Sequence, residues 1–135
     1  MSDMMAFGRK ILSEQPFSVA LGAELTVFEE SKAELTLALR EDHLQQNGFA
    51  HGGVVSYLAD NALTFAGGSV LGPVLTLEMK INYVRPATGD RLVARAEVLS
   101  AGRTQAVCQC KVFAVSKDSE KLCAVAQGTV MIASR

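Results

Sequence analysis

Hydrophobic and polar positions along the chain change period several times, and each change marks an element. Met4, Met5, Phe7, Ile11 and Leu12 recur at helical spacing within Ser2 to Gln15, which predicts a short amphipathic helix stopping before Pro16. From Ala23 to Arg40 the period becomes that of a strand, in two runs around Glu29-Glu30-Ser31. In the second run Ala33, Leu35, Leu37 and Leu39 alternate with Lys32, Glu34, Thr36 and Arg40, so a half-buried hairpin is expected.

Val54 to Ala66 reads as a helix that is apolar around most of its circumference, with one narrow polar stripe of Ser56, Tyr57, Asp60, Asn61 and Thr64. Such a helix belongs in a core, and Gly67-Gly68 is its expected stop. Beyond Val74 four strand signals follow, separated by turn chemistry at Ala87-Thr88-Gly89-Asp90, Ala101-Gly102 and Lys117-Asp118-Ser119-Glu120. In the first of them Leu75, Leu77, Met79, Ile81 and Tyr83 alternate with Thr76, Glu78, Lys80 and Asn82, which predicts one buried face carrying both leucines. The last two strands carry small residues on one face: Ala106, Cys108, Cys110, Val112 and Ala114, then Ala124, Ala126, Gly128, Val130 and Ile132. Small side chains let a helix approach closely. Because turns this short join only antiparallel neighbours, the sum is an α+β fold, a six-stranded antiparallel sheet wrapped around one long central helix. No repeat, linker or second domain is indicated across residues 1–135.

Composition narrows the function classes. The 135 residues are 49% hydrophobic and 20% charged, and thirteen Lys plus Arg against fourteen Asp plus Glu leave a net charge of −1. No overall field draws such a chain to nucleic acid or an anionic membrane. Met1 to Lys10 hold no apolar signal-peptide core, and Val70 to Leu77 are interrupted by Gly72 and Pro73, so no membrane span is expected. Cys108, Cys110 and Cys123 form neither a C-x-x-C pair nor a cluster with histidines at metal spacing. They are expected to be small buried thiols in a cytoplasmic protein, with no metal site.

Compact motifs are missing: there is no G-x-G-x-x-G, Walker loop, H-E-x-x-H or G-x-S-x-G. Side-chain amides, an imidazole and glycines gather instead at the mouth of the central helix, in Gln45-Gln46-Asn47-Gly48-Phe49-Ala50-His51-Gly52-Gly53. The first N–H groups of a helix lack intrahelical partners and carry partial positive charge. Glycines at 52 and 53 leave room for a carbonyl oxygen to reach them, as in an oxyanion hole. Asp60, the only acid between Asp42 and Glu78, lies on the polar stripe, where a cleft would make it a general base or nucleophile. His51 either donates to a ligand or satisfies a backbone carbonyl at the helix entrance. His43 carries no functional reading, and Asn47-Gly48 is also a common turn dipeptide. Arg85, Arg91, Arg95 and Arg103 read as sheet-surface charges, any of which could meet a phosphate.

Taken together, Asn47, His51-Gly52-Gly53, Leu58-Ala59-Asp60 and the strand end Ile81-Asn82-Tyr83-Val84-Arg85-Pro86 resemble the hotdog-fold acyl-CoA thioesterases of the phenylacetate-degradation (PaaI-like) group, from about Leu21 to Ile132. The resemblance implies hydrolysis of an aryl- or medium-chain acyl-CoA to free acid and CoA, without metal or redox cofactor. It also implies a homodimer, and usually a homotetramer. The site would be composite, with Gly52, and Gly53 beside it, polarising the carbonyl from one subunit and Asp60 supplied by the other. Family members often carry an Asn six residues before the His; here Gln45 stands at that spacing and Asn47 four before, so Asn47, Gln45 or Gln46 is the site amide. Thr76 matches a hydroxyl that helps hold the attacking water, although an unbroken pleat would point it away from Leu75 and Leu77. Phe49, Tyr57, Leu58, Leu63 and Phe65 would bound an aromatic or a medium aliphatic acyl group, and Arg85 completes the substrate-binding candidates. Hydration or dehydration of an acyl-CoA, or acyl-CoA binding without turnover, are the alternative activities.

Overall fold

The computed structural model describes residues 3–133. Met1, Ser2, Ser134 and Arg135 lie outside it, so the predicted helix start at Ser2 falls outside the described residues. Helix α1 spans Asp3–Ser13, with Asp3 in its first turn and Lys10 in its last, each favourable to the helix dipole. It packs tightly on the first strand: a Cβ on Gly8 would lie 2.6 Å from both Leu25 Cδ2 and Phe28 Cδ2. Helix α1 ends at Ser13, before Pro16 as expected, but Pro16 has a further role. It opens a second helix, α2 (Pro16–Leu21), because proline suits a first helical turn, where its missing N–H would have had no partner. Gly22, at φ 85°, closes α2 in the left-handed conformation and donates to Ser18 O and Val19 O.

The hairpin forms as β1 (Glu24–Glu29) and β2 (Lys32–Ala38). After the central helix α3 (Gly52–Leu71) come β3 (Val74–Tyr83), β4 (Arg91–Ala101), β5 (Gln105–Ser116) and β6 (Ser119–Ile132). All pairings are antiparallel and the sheet order is β1-β2-β4-β5-β6-β3, so β1 and β3 are its edges. This is the hotdog architecture, with Leu58, Ala59, Ala62, Leu63 and Ala66 of α3 fully buried against Leu35, Leu37, Leu92, Cys108, Cys110 and Val130 of the sheet. Among the described residues no helix is long and apolar enough to cross a membrane.

Two expectations are corrected. First, α3 runs through Gly67-Gly68 and stops only at Gly72, whose φ is 84°. The two glycines serve different ends. A Cβ on Gly67 would lie 2.3 Å from Val130 Cγ2, so this glycine permits close approach of helix to sheet, whereas a Cβ on Gly68 meets only Val74 Cγ2 at 4.0 Å. Second, Leu75 and Leu77 are 63% and 54% exposed rather than buried. The register slips between Thr76 and Glu78, which pair with Val130 and Thr129 in turn, leaving Leu77 as an extra, bulged residue. Val74 and Thr76 face inward before the bulge and Met79 and Ile81 after it, while both leucines stay outside.

The contrast between the glycines is testable by urea unfolding. Gly67→Ala should lose about 1–3 kcal/mol of stability through overpacking, while Gly68→Ala should gain up to about 1 kcal/mol of helix propensity. Equal effects would contradict the packing described.

Candidate active site

The approach to α3 is held by a buried histidine. His43, 1% exposed, sits in a single 3-10 turn at Glu41–His43. Its Nδ1 accepts from the Arg40 N–H at 3.0 Å, so in the neutral ring the proton is on Nε2, which donates to Leu21 O at 2.9 Å. Its own carbonyl accepts from the His51 N–H at 2.9 Å. His43 is therefore structural, and it fixes where the helix begins. Between these histidines the Gln45-to-Phe49 turn is closed by Gln45 N–H to Phe49 O at 2.8 Å, with Gly48 at φ 87°. The side-chain Oε1 of Gln45 accepts from the Asn47 N–H.

His51 is the N-cap, and at the helix entrance its ring satisfies a backbone N–H rather than a carbonyl. Its Nδ1 accepts from the Gly53 N–H at 2.8 Å, and its carbonyl accepts from Val54 and Val55 at 2.9 and 3.2 Å. Gly53 is thus withdrawn as an oxyanion donor. Among the described residues nothing accepts from the Gly52 N–H, which leaves one free donor at the positive end of a twenty-residue helix. Around it lies a cavity of about 490 Å³ lined by Gln45, Asn47, Phe49, Gly52, Tyr83 and Arg85, among others, with Cys123 also in its wall. The Tyr83 hydroxyl donates to Gly52 O at 3.3 Å. Sequence reasoning passed over Tyr83 as a site residue, although it stands within the strand-end motif.

Asp60 occupies a second location. It lies eight residues further along α3, about 12 Å up the helix axis, and faces the edge strand β3, where the Thr76 Oγ1 donates to its Oδ1 at 2.6 Å. The bulge at Leu77 makes this contact possible, because Thr76 shares the inward face with Val74. Asp60 is partly exposed, with Oδ2 free of protein partners among the described residues.

Two candidates fall elsewhere. Gln46 is exposed and does not line the cavity. Tyr57 does not line it either: its hydroxyl donates to Ser18 Oγ at 2.6 Å and accepts from Asn61 Nδ2 at 3.1 Å, and its ring meets Phe17 edge-on at 5.3 Å. Ser18 and Asn61 also both donate to Gln15 Oε1, at 2.6 and 2.9 Å, so this part of the polar stripe binds α3 to α2. The i, i+4 pair Tyr57 and Asn61 was the available signal. Burial pushes the thiols of Cys108 and Cys123 up to about 11 and that of Cys110 up to about 12. All three are free and buried, as expected.

One hotdog domain thus carries a free N–H at the helix mouth and a hydroxyl-bound carboxylate mid-helix. Residues 47–121 match the thioesterase superfamily, and the chain belongs to that family. It is 33% identical to a thioesterase family protein from Silicibacter pomeroyi, covering 93% of this chain and 96% of that one at a TM-score of 0.89. It is 34% identical to the phenylacetic acid degradation protein PaaI of Thermus thermophilus, covering 88% and 100% at a TM-score of 0.78. It is also 28% identical to the medium/long-chain acyl-CoA thioesterase YigI of Escherichia coli K12 over 122 residues, 76% of this chain and 77% of that one.

Two outcomes are expected here. His51→Ala, which removes the cap on Gly53, should cost about 1 kcal/mol in denaturant unfolding. With thiols buried and held as the neutral form, the native protein at pH 8 should show almost no reaction with an aromatic disulfide reagent over minutes and three reactive thiols after unfolding; rapid native labelling would contradict the burial.

Proposed function

We propose that the protein is an acyl-CoA thioesterase whose site is completed across a homodimer. The observation that carries this reading is the separation within one chain of a free oxyanion donor, the Gly52 N–H, from a positioned carboxylate, Asp60. A donor about 3 Å from the developing oxyanion and a base within reach of the attacking water must converge on one carbonyl. Eight helical residues, about 12 Å, keep them from doing so within a protomer. A two-fold partner brings the Gly52 of one chain to the Asp60 of the other. The edge strand β3 is the surface for that pairing: it runs beside Asp60, ends a sheet, and exposes Leu75 and Leu77.

Asp60 acts as general base. Thr76 holds Oδ1, and Oδ2 takes a proton from water as the water oxygen attacks the thioester carbonyl carbon. The Gly52 N–H stabilises the oxyanion of the tetrahedral intermediate. Its collapse breaks the C–S bond, and the proton on Asp60 passes to the departing CoA thiolate, giving a carboxylic acid and free thiol. Asn47 and Gln45 line the partner's helix-mouth cavity, where the CoA portion enters, and Arg85 is the phosphate-facing cation there. The reaction uses only water, substrate and these groups.

Asp60→Asn should fold normally and lose roughly 10²–10⁴-fold in kcat, measured by CoA thiol release. Gly52→Pro is the sharper test, since proline at the first helical position removes the free N–H without loss of helix, and His51 at φ −60°, ψ 138° already has the conformation that precedes proline. It should lose roughly 10²–10³-fold in kcat with unchanged unfolding. Near-full turnover in either variant would overturn the reading.

A further inference from the structure

A second cavity, of about 340 Å³, lies where α1 crosses the C-terminal half of α3 and the start of β3. Its walls include Phe7 and Ile11 from α1, Phe28 from β1, Phe65 and Gly68 from α3, and Val74 from β3. Phe28 and Phe65 meet edge-on at 5.5 Å and an interplanar angle of 89°, which makes that wall rigid. Of the two polar side chains that also line it, Gln15 accepts through Oε1 from Ser18 and Asn61, and Thr64 donates through Oγ1 to Asn61 O at 2.7 Å.

The position of this cavity relative to Asp60 follows from helix and strand periodicity. Thr64 and Gly68 stand one and two turns beyond Asp60 on the same stripe of α3. Val74 shares the inward face of β3 with Thr76, the residue bound to Asp60. The cavity therefore lies one to two helical turns beyond the carboxylate, on the side away from the helix mouth. We propose that it receives the acyl tail of the substrate, that the tail is apolar, and that Gly68 on the floor and Ile11 on the roof set how long it can be. This rests on the thioesterase reading given above. A single substrate then spans two protomers, with CoA at the helix mouth of one, the carbonyl between Gly52 and Asp60, and the tail under α1 of the other.

Gly68 carries the specificity argument. Unlike Gly67 it has no packing reason to be glycine: a Cβ there meets only Val74 Cγ2 at 4.0 Å, and its backbone is ordinary helix. A glycine in a helix interior costs about 1 kcal/mol against alanine, and here the space left open is the cavity. A larger side chain at 68 enters the cavity without displacing backbone.

The test is the chain-length profile of kcat/KM for saturated acyl-CoA thioesters from acetyl to palmitoyl, for wild type, Gly68→Leu and Ile11→Ala, with thermal unfolding of each. In wild type kcat/KM should rise by up to about fourfold per methylene, the roughly 0.8 kcal/mol of burying one CH₂, until the cavity is full. Gly68→Leu should move the optimum to shorter chains and cut the ratio of best-chain to acetyl kcat/KM at least about tenfold, with no loss of thermal stability. Ile11→Ala, which enlarges the roof, should move the optimum to longer chains. Hydrolysis with an unchanged optimum in both variants would overturn the assignment while leaving the thioesterase reading intact; no hydrolysis of any chain length by wild type would overturn both.

Discussion

The structure depends on the burial of a helix with almost no polar surface. Nine of the twenty residues of α3 are buried, and a single antiparallel sheet removes them from water by curling around the helix. The fit is close. At Gly67 any side chain would collide with Val130, and at Gly128 a Cβ would lie 2.6 Å from Glu78 O and 3.2 Å from Leu63 Cδ1. The run of small residues on β5 and β6 has the same cause, since it lets the sheet close on the helix. Once α3 is fixed in this way, its length becomes a ruler for the chemistry, with a free N–H at one end, a carboxylate near the middle and an apolar cavity towards the other end.

The polar groups that remain on α3 divide by what they face. Tyr57 and Asn61 turn to Ser18 and Gln15 and anchor α2, while Asp60 turns to β3. Thr76 reaches Asp60 because the β3 bulge keeps Thr76 inward and leaves Leu75 and Leu77 outside. One local irregularity thus orients the carboxylate and leaves an apolar edge beside it. The same economy appears at the helix mouth: His51 satisfies the Gly53, Val54 and Val55 N–H groups and so isolates the Gly52 N–H.

Most of the fold was legible because burial imposes periodicity. The alternation of β2, the apolar circumference of α3 and the small residues of β5 and β6 all state which faces are inside. What was misread shares one character: the residue type was informative but its partner was not visible. Gly67-Gly68 reads as a helix stop unless Val130 is known to lie against it, and the stop before Pro16 gives no sign of the second helix that Pro16 opens. The β3 alternation carries no mark of the bulge that shifts its phase. In the site, Gly52, Asp60 and Thr76 stood out by type and by resemblance. The loss of Gly53 as a donor depended on the orientation of the His51 ring, and Tyr57 was claimed by α2, for which its i, i+4 spacing to Asn61 was the one signal in the sequence.

The central claim is that one site takes its oxyanion donor from one chain and its base from another. Co-refolding Asp60→Asn with Gly52→Pro tests it directly, because each mixed dimer would hold one site with both defects and one with neither. Random pairing makes half the dimers mixed, with one of two sites intact, so about a quarter of wild-type turnover should return from two nearly inactive proteins. Activity no greater than the sum of the two variants alone, with mixed dimers shown to form, would contradict the account.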